Sequence, residues 1–317
     1  VIVVQGGTSA KLSGLTIASN YYVQDDGTLT SPGATEAYSI NGASYDSVSF
    51  DVSSQAADAT GMCFNDDGTK MYVVGEVSDA IFQYSLSSAY DLSTASYDSV
   101  SLSVSSQQSY PRSVVFNNDG TSLYISGTGP ASGHQYDLTT PYDLSTGSYA
   151  SKTVSFSSQE LYPCGLIFNT DGTSMYIVGS GSDTVYQYTL SPAFDLSTAS
   201  YASKSMSVNS EQTSPTGLAF NSDGTKILVV GESPGINQYS LSSAYDISTG
   251  SYDSVSYTYT QGSTPRDIVF NSSGLKFYIP DSGEDDIYQY TAGGGASSSV
   301  KAGLAISTTA LLLSGDS

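Results

Sequence analysis

The sequence predicts an all-β fold: a five-bladed β-propeller whose blades are four-stranded antiparallel sheets. Two observations lead to this prediction. A segment such as Phe168–Gly179 (FNTDGTSMYIVG) recurs five times, with its phenylalanine at 64, 116, 168, 220 and 270, at intervals of 52, 52, 52 and 50 residues. Each copy consists of short β-forming runs separated by glycine-containing turns, and strand-rich repeats of this length are typical of propeller blades.

The third copy shows how one blade is divided. We expect an inner strand over Gly165–Phe168, a second over Met175–Val178, a third over Val185–Leu190 and an outer strand over Tyr201–Val208. The second strand is apolar at consecutive positions, which is typical of a strand covered on both faces. The outer strands alternate apolar and polar residues, as in VSLSV at 100–104, which indicates one face in water.

The order of the strands predicts how the ring closes. An outer-strand pattern at Tyr45–Val52 precedes every other strand of the repeat, whereas the last three strands, within Arg266–Tyr290, have no outer strand after them. Pairing Tyr45–Val52 with Ile287–Tyr290 would complete the fifth blade and remove the free sheet edges from the ring. We therefore assign residues 37–291 to a propeller that is closed by this exchanged strand.

The segments on either side of the repeat are predicted to form one small β module. Residues 1–36 and 297–317 lie outside the repeat, and 292–296 form a Gly-rich linker. A hairpin is expected at Tyr21–Leu29, around an Asp-Gly turn, and the tail fits two short strands. Closure of the ring brings its two ends together, so we expect the terminal segments to meet and to serve in attachment or oligomerisation.

Composition argues against two classes of partner. The chain has 9 Lys+Arg against 30 Asp+Glu, a formal net charge of −21. This charge repels nucleic-acid phosphates and anionic lipids, and no apolar run approaches the ~18 residues of a membrane span. We expect neither nucleic-acid binding nor membrane insertion. Cys63 and Cys164 fall in non-adjacent copies of the repeat, so both are expected to be free thiols.

Antiparallel strands divide the connections between the two faces of the ring. One face, which we call the turn face, carries the turns between the first and second strands and the connections between the third and fourth. These repeat almost unchanged, and their Asp, Asn and Gly residues are of the kind that brace tight turns. The other face, the loop face, carries loops that differ from copy to copy. Binding sites commonly lie on such scaffolded loops.

Loop-face residues are therefore the candidates for a ligand site. Arg112 and Arg266 occupy equivalent positions at the start of the inner strand, close to the axis, and Tyr110 and Tyr162 lie nearby. Aromatic rings can stack on sugars, and guanidinium and amide groups can bind hydroxyl or acidic substituents. Alternatively, the two arginines only offset the acidity of the rim. The complete set of candidates is Tyr110, Arg112, Tyr162, Arg266, Gln107, Gln159, Gln261 and His134.

One acidic loop is a candidate calcium site, through the oxygen ligands of Asp281, Glu284, Asp285 and Asp286. Their order lacks the EF-hand spacing, so the alternative is a solvated acidic loop, and no other cofactor is expected. His134 is the only histidine, which excludes a metal site built from several histidines, and no Ser-His-Asp arrangement can be assembled around it.

Glycosidase-like chemistry in a five-bladed propeller would need several carboxylates near the axis. The candidates do not share one repeat position, which argues against such an enzyme; they are Asp58, Glu160, Glu211 and Asp267. We therefore expect a non-enzymatic protein.

Two resemblances extend this interpretation. The repeat core, as in Phe64–Gly75 (FNDDGTKMYVVG), resembles the YVTN-type repeat of lactonase-like and surface-layer propellers. This implies a fold and almost nothing about activity. The fifth copy departs from the pattern at Ser273-Gly274-Leu275. Gly14–Leu29 and Val300–Leu313 together resemble a small β module of tailed-bacteriophage tail-fibre and virion proteins; the propeller would replace the short loop that joins its halves.

The resemblances imply a virion component as the first hypothesis. This would be a non-enzymatic fibre or decoration protein of a tailed bacteriophage, whose propeller binds a glycan or protein of the host surface. The small β module would contact other virion proteins or further copies of the chain. The alternatives are a spacer domain on the particle, a cellular extracellular or surface-layer adhesin, and a lactonase- or glycosidase-like enzyme.

Overall fold

The computed structural model describes residues 20–23, 29–30, 36–233, 235–293, 300–307 and 310–313. Five four-stranded antiparallel sheets form a propeller, so the predicted all-β, five-bladed fold is confirmed. Within the described residues, helix is limited to four short 3₁₀ segments in the connections that lead to outer strands: Leu92–Thr94, Leu144–Thr146, Leu196–Thr198 and Ile247–Thr249. None of the helices in this part of the chain is long and apolar enough to cross a membrane.

Strands are numbered in chain order, and each blade is described from its inner strand to its outer strand. Blade 1 contains β4 (Ala59–Phe64), β5 (Lys70–Gly75), β6 (Ala80–Leu86) and β7 (Ala95–Ser103). Blade 2 contains β8 (Pro111–Phe116), β9 (Ser122–Thr128), β10 (Ala131–Leu138) and β11 (Gly147–Ser155). Blade 3 contains β12 (Pro163–Phe168), β13 (Ser174–Gly179), β14 (Thr184–Thr189) and β15 (Ser200–Ser207). Blade 4 contains β16 (Thr213–Phe220), β17 (Lys226–Ser233), β18 (Gly235–Leu241) and β19 (Gly250–Thr258). Blade 5 contains β20 (Val269–Phe270), β21 (Lys276–Asp281), β22 (Asp286–Thr291) and β3 (Ser44–Asp51).

The exchanged strand closes the ring as predicted. β3 pairs antiparallel with β22, with Phe50 opposite Ile287 and Tyr45 opposite Tyr290. Blade 5 is thus built from both ends of the repeat. Each blade then has a neighbour on both sides, and no inner strand is left at a free end of the ring.

Burial follows the predicted gradient from the axis to the rim. In β13, Met175–Val178 are completely buried, because neighbouring blades cover both faces of the second strand. In β7, exposed and partly buried residues alternate, because only one face of an outer strand packs on the protein. The apolar core therefore lies between blades: one cluster joins Tyr72 of blade 1 to Val114 of blade 2. Cys63 and Cys164 are buried free thiols, as expected.

The turns of the turn face are braced by their own side chains. In the third copy, Asp171 Oδ1 accepts hydrogen bonds from the backbone N–H (2.9 Å) and the hydroxyl (2.5 Å) of Thr173. These bonds hold the pKa of Asp171 below its usual value. Gly172 has a φ of +70°, and a Cβ there would lie 2.2 Å from the ring of Phe194. The turn therefore requires glycine for two independent reasons.

Adjacent blades are tied by a tyrosine of the second strand. Its hydroxyl donates to a backbone carbonyl in the next blade's outer connection, at 2.5–2.6 Å: Tyr72 to Tyr142, Tyr124 to Phe194, Tyr176 to Tyr245, and Tyr278 to Tyr90. Blade 4 has Leu228 at this position, so the interface between blades 4 and 5 lacks this bond. Four of the five interfaces share one hydrogen bond that the repeat supplies.

A separate four-stranded sheet joins the two ends of the chain. It contains β1 (Asn20–Val23), β2 (Leu29–Thr30), β23 (Val300–Ser307) and β24 (Ala310–Leu313), in the order β2-β1-β23-β24. β1 pairs with β2 and with β23, so one N-terminal strand and one C-terminal strand are direct neighbours. Apart from Glu36, the remaining residues of the predicted module lie outside the described residues, as does most of the predicted linker.

Candidate functional site

The loop face has a cavity of about 400 Å³ at its centre, which we call the polar basin. All five blades contribute to it through the starts of inner strands and the loops above them. Its lining consists of Glu76, Tyr110, Arg112, Thr128, Tyr162, Cys164, Ser180, Ser214, Thr216, Glu232 and Arg266. The structure thus brings together four of the eight predicted ligand-binding residues: Tyr110, Arg112, Tyr162 and Arg266.

Both arginines of the basin form ion pairs across a blade interface. Arg112 of blade 2 binds both carboxylate oxygens of Glu76 of blade 1, at 2.7 and 3.0 Å. Arg266 of blade 5 pairs with Glu232 of blade 4 at 3.2 Å, and its Nε donates to the Ser282 hydroxyl at 2.7 Å. Each guanidinium therefore has a local carboxylate partner, which agrees with the charge-balance alternative. The remaining hydrogen-bonding capacity of these groups is available to a neutral polar ligand.

Tyr110 and Tyr162 stand at the edge of the basin with 52% and 56% of their surface exposed. The loops that carry them are held from below by buried side chains. Gln108 Oε1 accepts from Gly129 N–H at 2.8 Å, and Glu160 Oε1 accepts from Tyr162 N–H at 2.8 Å. The aromatic rings are thus presented to solvent on braced backbone, as a stacking site for a ligand requires.

The three predicted glutamines lie outside the basin and brace loops. The amide oxygen of each accepts a hydrogen bond from the hydroxyl of a buried tyrosine on the third strand of a blade. The pairs are Gln107 with Tyr136 (2.9 Å), Gln159 with Tyr188 (3.1 Å) and Gln261 with Tyr290 (2.6 Å). Sequence reasoning missed these bonds because the partners are 29 residues apart and meet only when the sheet forms.

His134 is also outside the basin. It is buried in β10, where Nε2 lies 2.9 Å from the Ser132 hydroxyl and the ring contacts Tyr149. Burial lowers the pKa of His134, because an uncharged imidazole is favoured away from water. The structure therefore gives His134 a place in the packing of blade 2.

The acidic loop of blade 5 is organised by hydrogen bonds within the protein. Asp281 is completely buried, and its carboxylate accepts from the backbone N–H groups of Thr264, Gly283 and Glu284, at 2.8–3.3 Å. Glu284 accepts from Ser263 N–H, and Asp285 from Ala59 N–H. Burial raises the pKa of Asp286. Among the described residues, no group of three or more His, Cys, Asp or Glu side chains has an arrangement that could hold a metal ion.

In blade 5, Asp281 at the end of the second strand braces the loop, whereas in blades 2–4 a side chain of the loop itself does so. In blades 2–4 the equivalent position is glycine, and a loop side chain (Gln108, Glu160 or Gln212) packs over it. In blade 5 the loop residue is Gly262, and a Cβ there would lie 2.5 Å from the Asp281 carboxylate. The exchange is visible in the aligned copies, so the sequence held a signal that Asp281 is a structural residue.

The axial carboxylate candidates do not converge on the basin. Glu160 is buried beneath its loop, where its second oxygen accepts from the Ser182 hydroxyl at 2.6 Å. Glu211 lies 3.3 Å from the Tyr239 hydroxyl, and Asp58 is in a loop, with a φ of +52°. Only Asp267 lies at the axis, and it faces a different cavity. The carboxylates of the basin are Glu76 and Glu232, both engaged by arginine.

A second cavity, of about 360 Å³, lies on the axis towards the turn face, and we call it the axial cavity. Its wall comes from the inner strands and turns of all five blades, and most of its side chains are apolar. The two cavities share no lining residue. Between them lies a ring of small residues, Gly61, Ser113, Gly165 and Gly217, with Asp267 at the fifth position. A Cβ on Gly217 would lie 2.6 Å from the Asp267 Cα, so the inner strands touch at this level.

The comparisons with known proteins find structures that are similar to this one but no related sequence. No family model and no curated protein matches the chain. The structure is similar to that of a "putative 6-phosphogluconolactonase" from Bacteroides uniformis, with 14% identity and a TM-score of 0.47, over 89% of this chain and 76% of that one. It is also similar to hydrazine synthase from Kuenenia stuttgartiensis, with 15% identity and a TM-score of 0.44, over 71% of this chain and 56% of that one. The resemblance of the terminal segments to virion proteins is not tested by these similarities.

Proposed function

We propose that this protein is a non-enzymatic recognition protein that binds a carbohydrate at the polar basin of its loop face. The distribution of exposed apolar side chains is the observation that carries the proposal. Of six large apolar residues left exposed among the described residues, four lie on loop-face loops: Val77, Tyr110, Leu161 and Tyr162. Exposed apolar residues concentrated beside a polar cavity are typical of a binding surface.

The chemistry of the basin favours a neutral sugar. Hydroxyls of Thr128 and Ser180 and the two arginine–glutamate pairs offer both donors and acceptors, which suits the hydroxyl groups of a sugar. A polyanion would gain less, because each guanidinium already has a carboxylate partner and the whole chain carries a charge of −21. Tyr110 and Tyr162 would stack on the apolar face of the sugar ring.

We propose the virion of a tailed bacteriophage as the setting. The support is the resemblance of the two terminal segments to a virion β module, together with the pairing of β1 and β23 in one sheet separate from the blades. In this setting the module 1–36 and 297–317 binds other virion proteins or further copies of the chain, and the propeller presents its loop face to a glycan or protein of the host. The alternative is a cellular surface adhesin that uses the same face.

An enzymatic function has less support from the basin. A glycosidase needs one carboxyl as a proton donor and a second as a base or nucleophile. The basin's carboxylates, Glu76 and Glu232, are each bound by an arginine of the next blade, so the basin offers no carboxylate that is free of a cationic partner.

A glycan array with matched tyrosine variants tests the binding site. Tyr110→Ala and Tyr162→Ala are expected to weaken binding about tenfold each, because each removes a stacking surface. Tyr201→Ala is the control, since Tyr201 is an exposed tyrosine on the outer strand β15. The proposal fails if no glycan binds, or if the control weakens binding as much as the basin variants. Release of sugar or a ring-opened product from a bound ligand would instead favour the enzyme alternative.

Localisation tests the setting separately from the ligand. Antibodies against the propeller are expected to label purified phage particles, and particles carrying Tyr110→Ala and Tyr162→Ala together are expected to adsorb more slowly to the host. Labelling of a cell envelope without particles would support the adhesin alternative. Unchanged adsorption of the variant particles would contradict a role of the basin in host recognition.

A further inference from the structure

The axial cavity is independent of the proposed carbohydrate site. It lies on the other side of the ring formed by Gly61, Ser113, Gly165, Gly217 and Asp267, and it opens towards the turn face. Its volume of about 360 Å³ is within the range of small-molecule sites. The inner part is walled by side chains such as Met62, Leu218 and Ile268, and the outer part by Phe116, Phe168, Phe220 and Phe270. An apolar wall of this kind is stabilised by contact with an apolar ligand.

Asp267 is the only carboxylate in that wall. It is 8% exposed, and its Oδ1 accepts from the backbone N–H of Ile268 at 2.8 Å. The backbone N–H of Met62 also points at the carboxyl group. No described side chain forms a hydrogen bond or ion pair with it. A buried carboxylate with no cationic partner is costly to ionise, and burial raises the pKa of Asp267 to about 7.

We propose that the axial cavity binds a small amphiphilic amine, with its ammonium group at Asp267 and its apolar body against the phenylalanine side chains. Charge complementarity selects this class of ligand. The rest of the wall is apolar or carries uncharged polar groups, such as Asn118 and Ser222 near the turns. An ammonium group supplies the positive partner that Asp267 lacks, whereas a fatty acid would bring a second negative charge to the same place.

The surroundings of Asp267 make it the group whose ionisation controls binding near neutral pH. From β4, the Cys63 thiol interacts electrostatically with Asp267, and burial raises the pKa of this thiol well above the usual value, so it stays neutral. From β16, the facing residues Thr216–Leu218 carry no titratable side chain. Arg266 is adjacent in the chain, but its guanidinium belongs to the basin, with Glu232 and Ser282. The wall also contains Tyr245, whose hydroxyl donates to the backbone carbonyl of Ser222.

Calorimetry with three ligands of equal chain length tests the proposal. With the full chain at pH 8 and about 0.3 M salt, n-octylamine is expected to bind once per chain and roughly tenfold tighter than 1-octanol, because a hydrogen bond to a charged group is worth more than a neutral one. Octanoate is expected not to bind. In Asp267→Asn the advantage of the amine over the alcohol should disappear, while Asp51→Asn, which removes the same charge from an exposed position on β3, should leave it unchanged.

The pH dependence gives a second readout. Octylamine binding to the unaltered protein should strengthen as the pH rises from about 5.5 to 8.5, because Asp267 loses its proton over this range; octanol binding should not. Equal affinity for the amine and the alcohol would overturn the proposal. The proposal would also be overturned if Asp267→Asn kept the preference for the amine. Binding of several octylamine molecules per chain would overturn it too, because it would indicate binding to the acidic surface.

Discussion

The turn face and the loop face are built from the same repeat, but its residues recur more regularly on the turn face than on the loop face. On the turn face, the turn glycine of all five copies has a positive φ and packs against an aromatic ring of the adjoining connection; these glycines are Gly68, Gly120, Gly172, Gly224 and Gly274. On the loop face, the brace under the loop comes from a loop side chain in blades 2–4 and from Asp281 in blade 5. The same structural requirement is met there in more than one way.

The difference follows from what each position must satisfy. A turn glycine must adopt a positive φ angle and must leave room for a neighbouring aromatic ring, so no residue with a side chain fits. A loop brace must only supply hydrogen-bond acceptors to backbone N–H groups. These acceptors can come either from the loop or from the strand that faces it. Loop-face residues such as Tyr110 and Tyr162 are freer still, because their side chains are largely in solvent. A binding site can therefore diverge on this face without disturbing the ring.

The largest effect on stability is expected at Asp267, the residue at the axis that departs from the repeat. Its pKa of about 7 in the folded protein exceeds the ordinary 3.8, so the folded state holds a proton that the unfolded state has lost between about pH 4 and 7. Stability therefore falls as the pH rises through this window. A shift of about 3 pKa units corresponds to about 4 kcal/mol. Asp267→Asn should be more stable than the unaltered protein by up to this amount at pH 8.5, and equally stable near pH 4.

Urea denaturation at several pH values measures this difference. Asp51→Asn is the control, because Asp51 is exposed and should change the pH profile little. A constant difference between Asp267→Asn and the unaltered protein at all pH values would show that the carboxyl group is not the source of the pH dependence.

The next largest effect is expected for the brace of blade 5. Asp281→Gly would leave the N–H groups of Thr264, Gly283 and Glu284 without their acceptor, at a cost of about 3 kcal/mol. Adding Gly262→Gln should recover much of this loss, because the double variant copies the Gln108 and Gly127 arrangement of blade 2. The measurement is the free energy of unfolding of both single variants and the double variant.

The same variants separate a structural role from a calcium site. For a structural role, chelation of divalent ions should not change the melting temperature of the unaltered protein, and the double variant should be rescued. Additive losses in the double variant, together with a drop in melting temperature on chelation, would favour the calcium site at Asp281, Glu284, Asp285 and Asp286 instead.

Much of the ring was predictable from the sequence, because its contacts recur at the repeat spacing. The five phenylalanines give the number of blades, and the unpaired outer strand at Tyr45–Val52 gives the closure. The sites were less predictable, since they depend on residues that break the repeat. Arg112 and Arg266 were found because they share a repeat position, but their partners Glu76 and Glu232 lie in the preceding blades. Asp267 stands where the other copies have Gly or Ser, so its departure from the repeat is visible in the sequence, but the axial cavity that it lines was not predicted.

A smaller effect compares the two faces directly. Gly172→Ala should destabilise the protein by about 2 kcal/mol, because the new Cβ meets the Phe194 ring at a positive φ. Val77→Ala on the loop face should change stability by less than about 0.5 kcal/mol, since Val77 is 68% exposed. Chemical denaturation of the two variants measures the difference. Equal effects would contradict the distinction between a constrained turn face and a tolerant loop face.

The smallest effect on stability is expected when a single tyrosine hydroxyl group is removed, either towards the turn face or towards the loop face of a blade. The Tyr72 hydroxyl donates to Tyr142 on the turn face, whereas the Tyr84 hydroxyl, which points towards the loop face as its equivalents Tyr136 and Tyr188 do, is buried without a partner among the described residues. Tyr72→Phe should cost about 1 kcal/mol, because it removes a buried hydrogen bond between blades. Tyr84→Phe should be neutral or slightly stabilising, since it removes a polar atom that has no bond to lose. The two variants remove the same atom from equally buried rings, so the difference in their free energies of unfolding isolates the hydrogen bond. Equal losses would show that the contribution of these tyrosines comes from packing, and that the hydrogen bonds between blades do not hold the turn face in its repeating form.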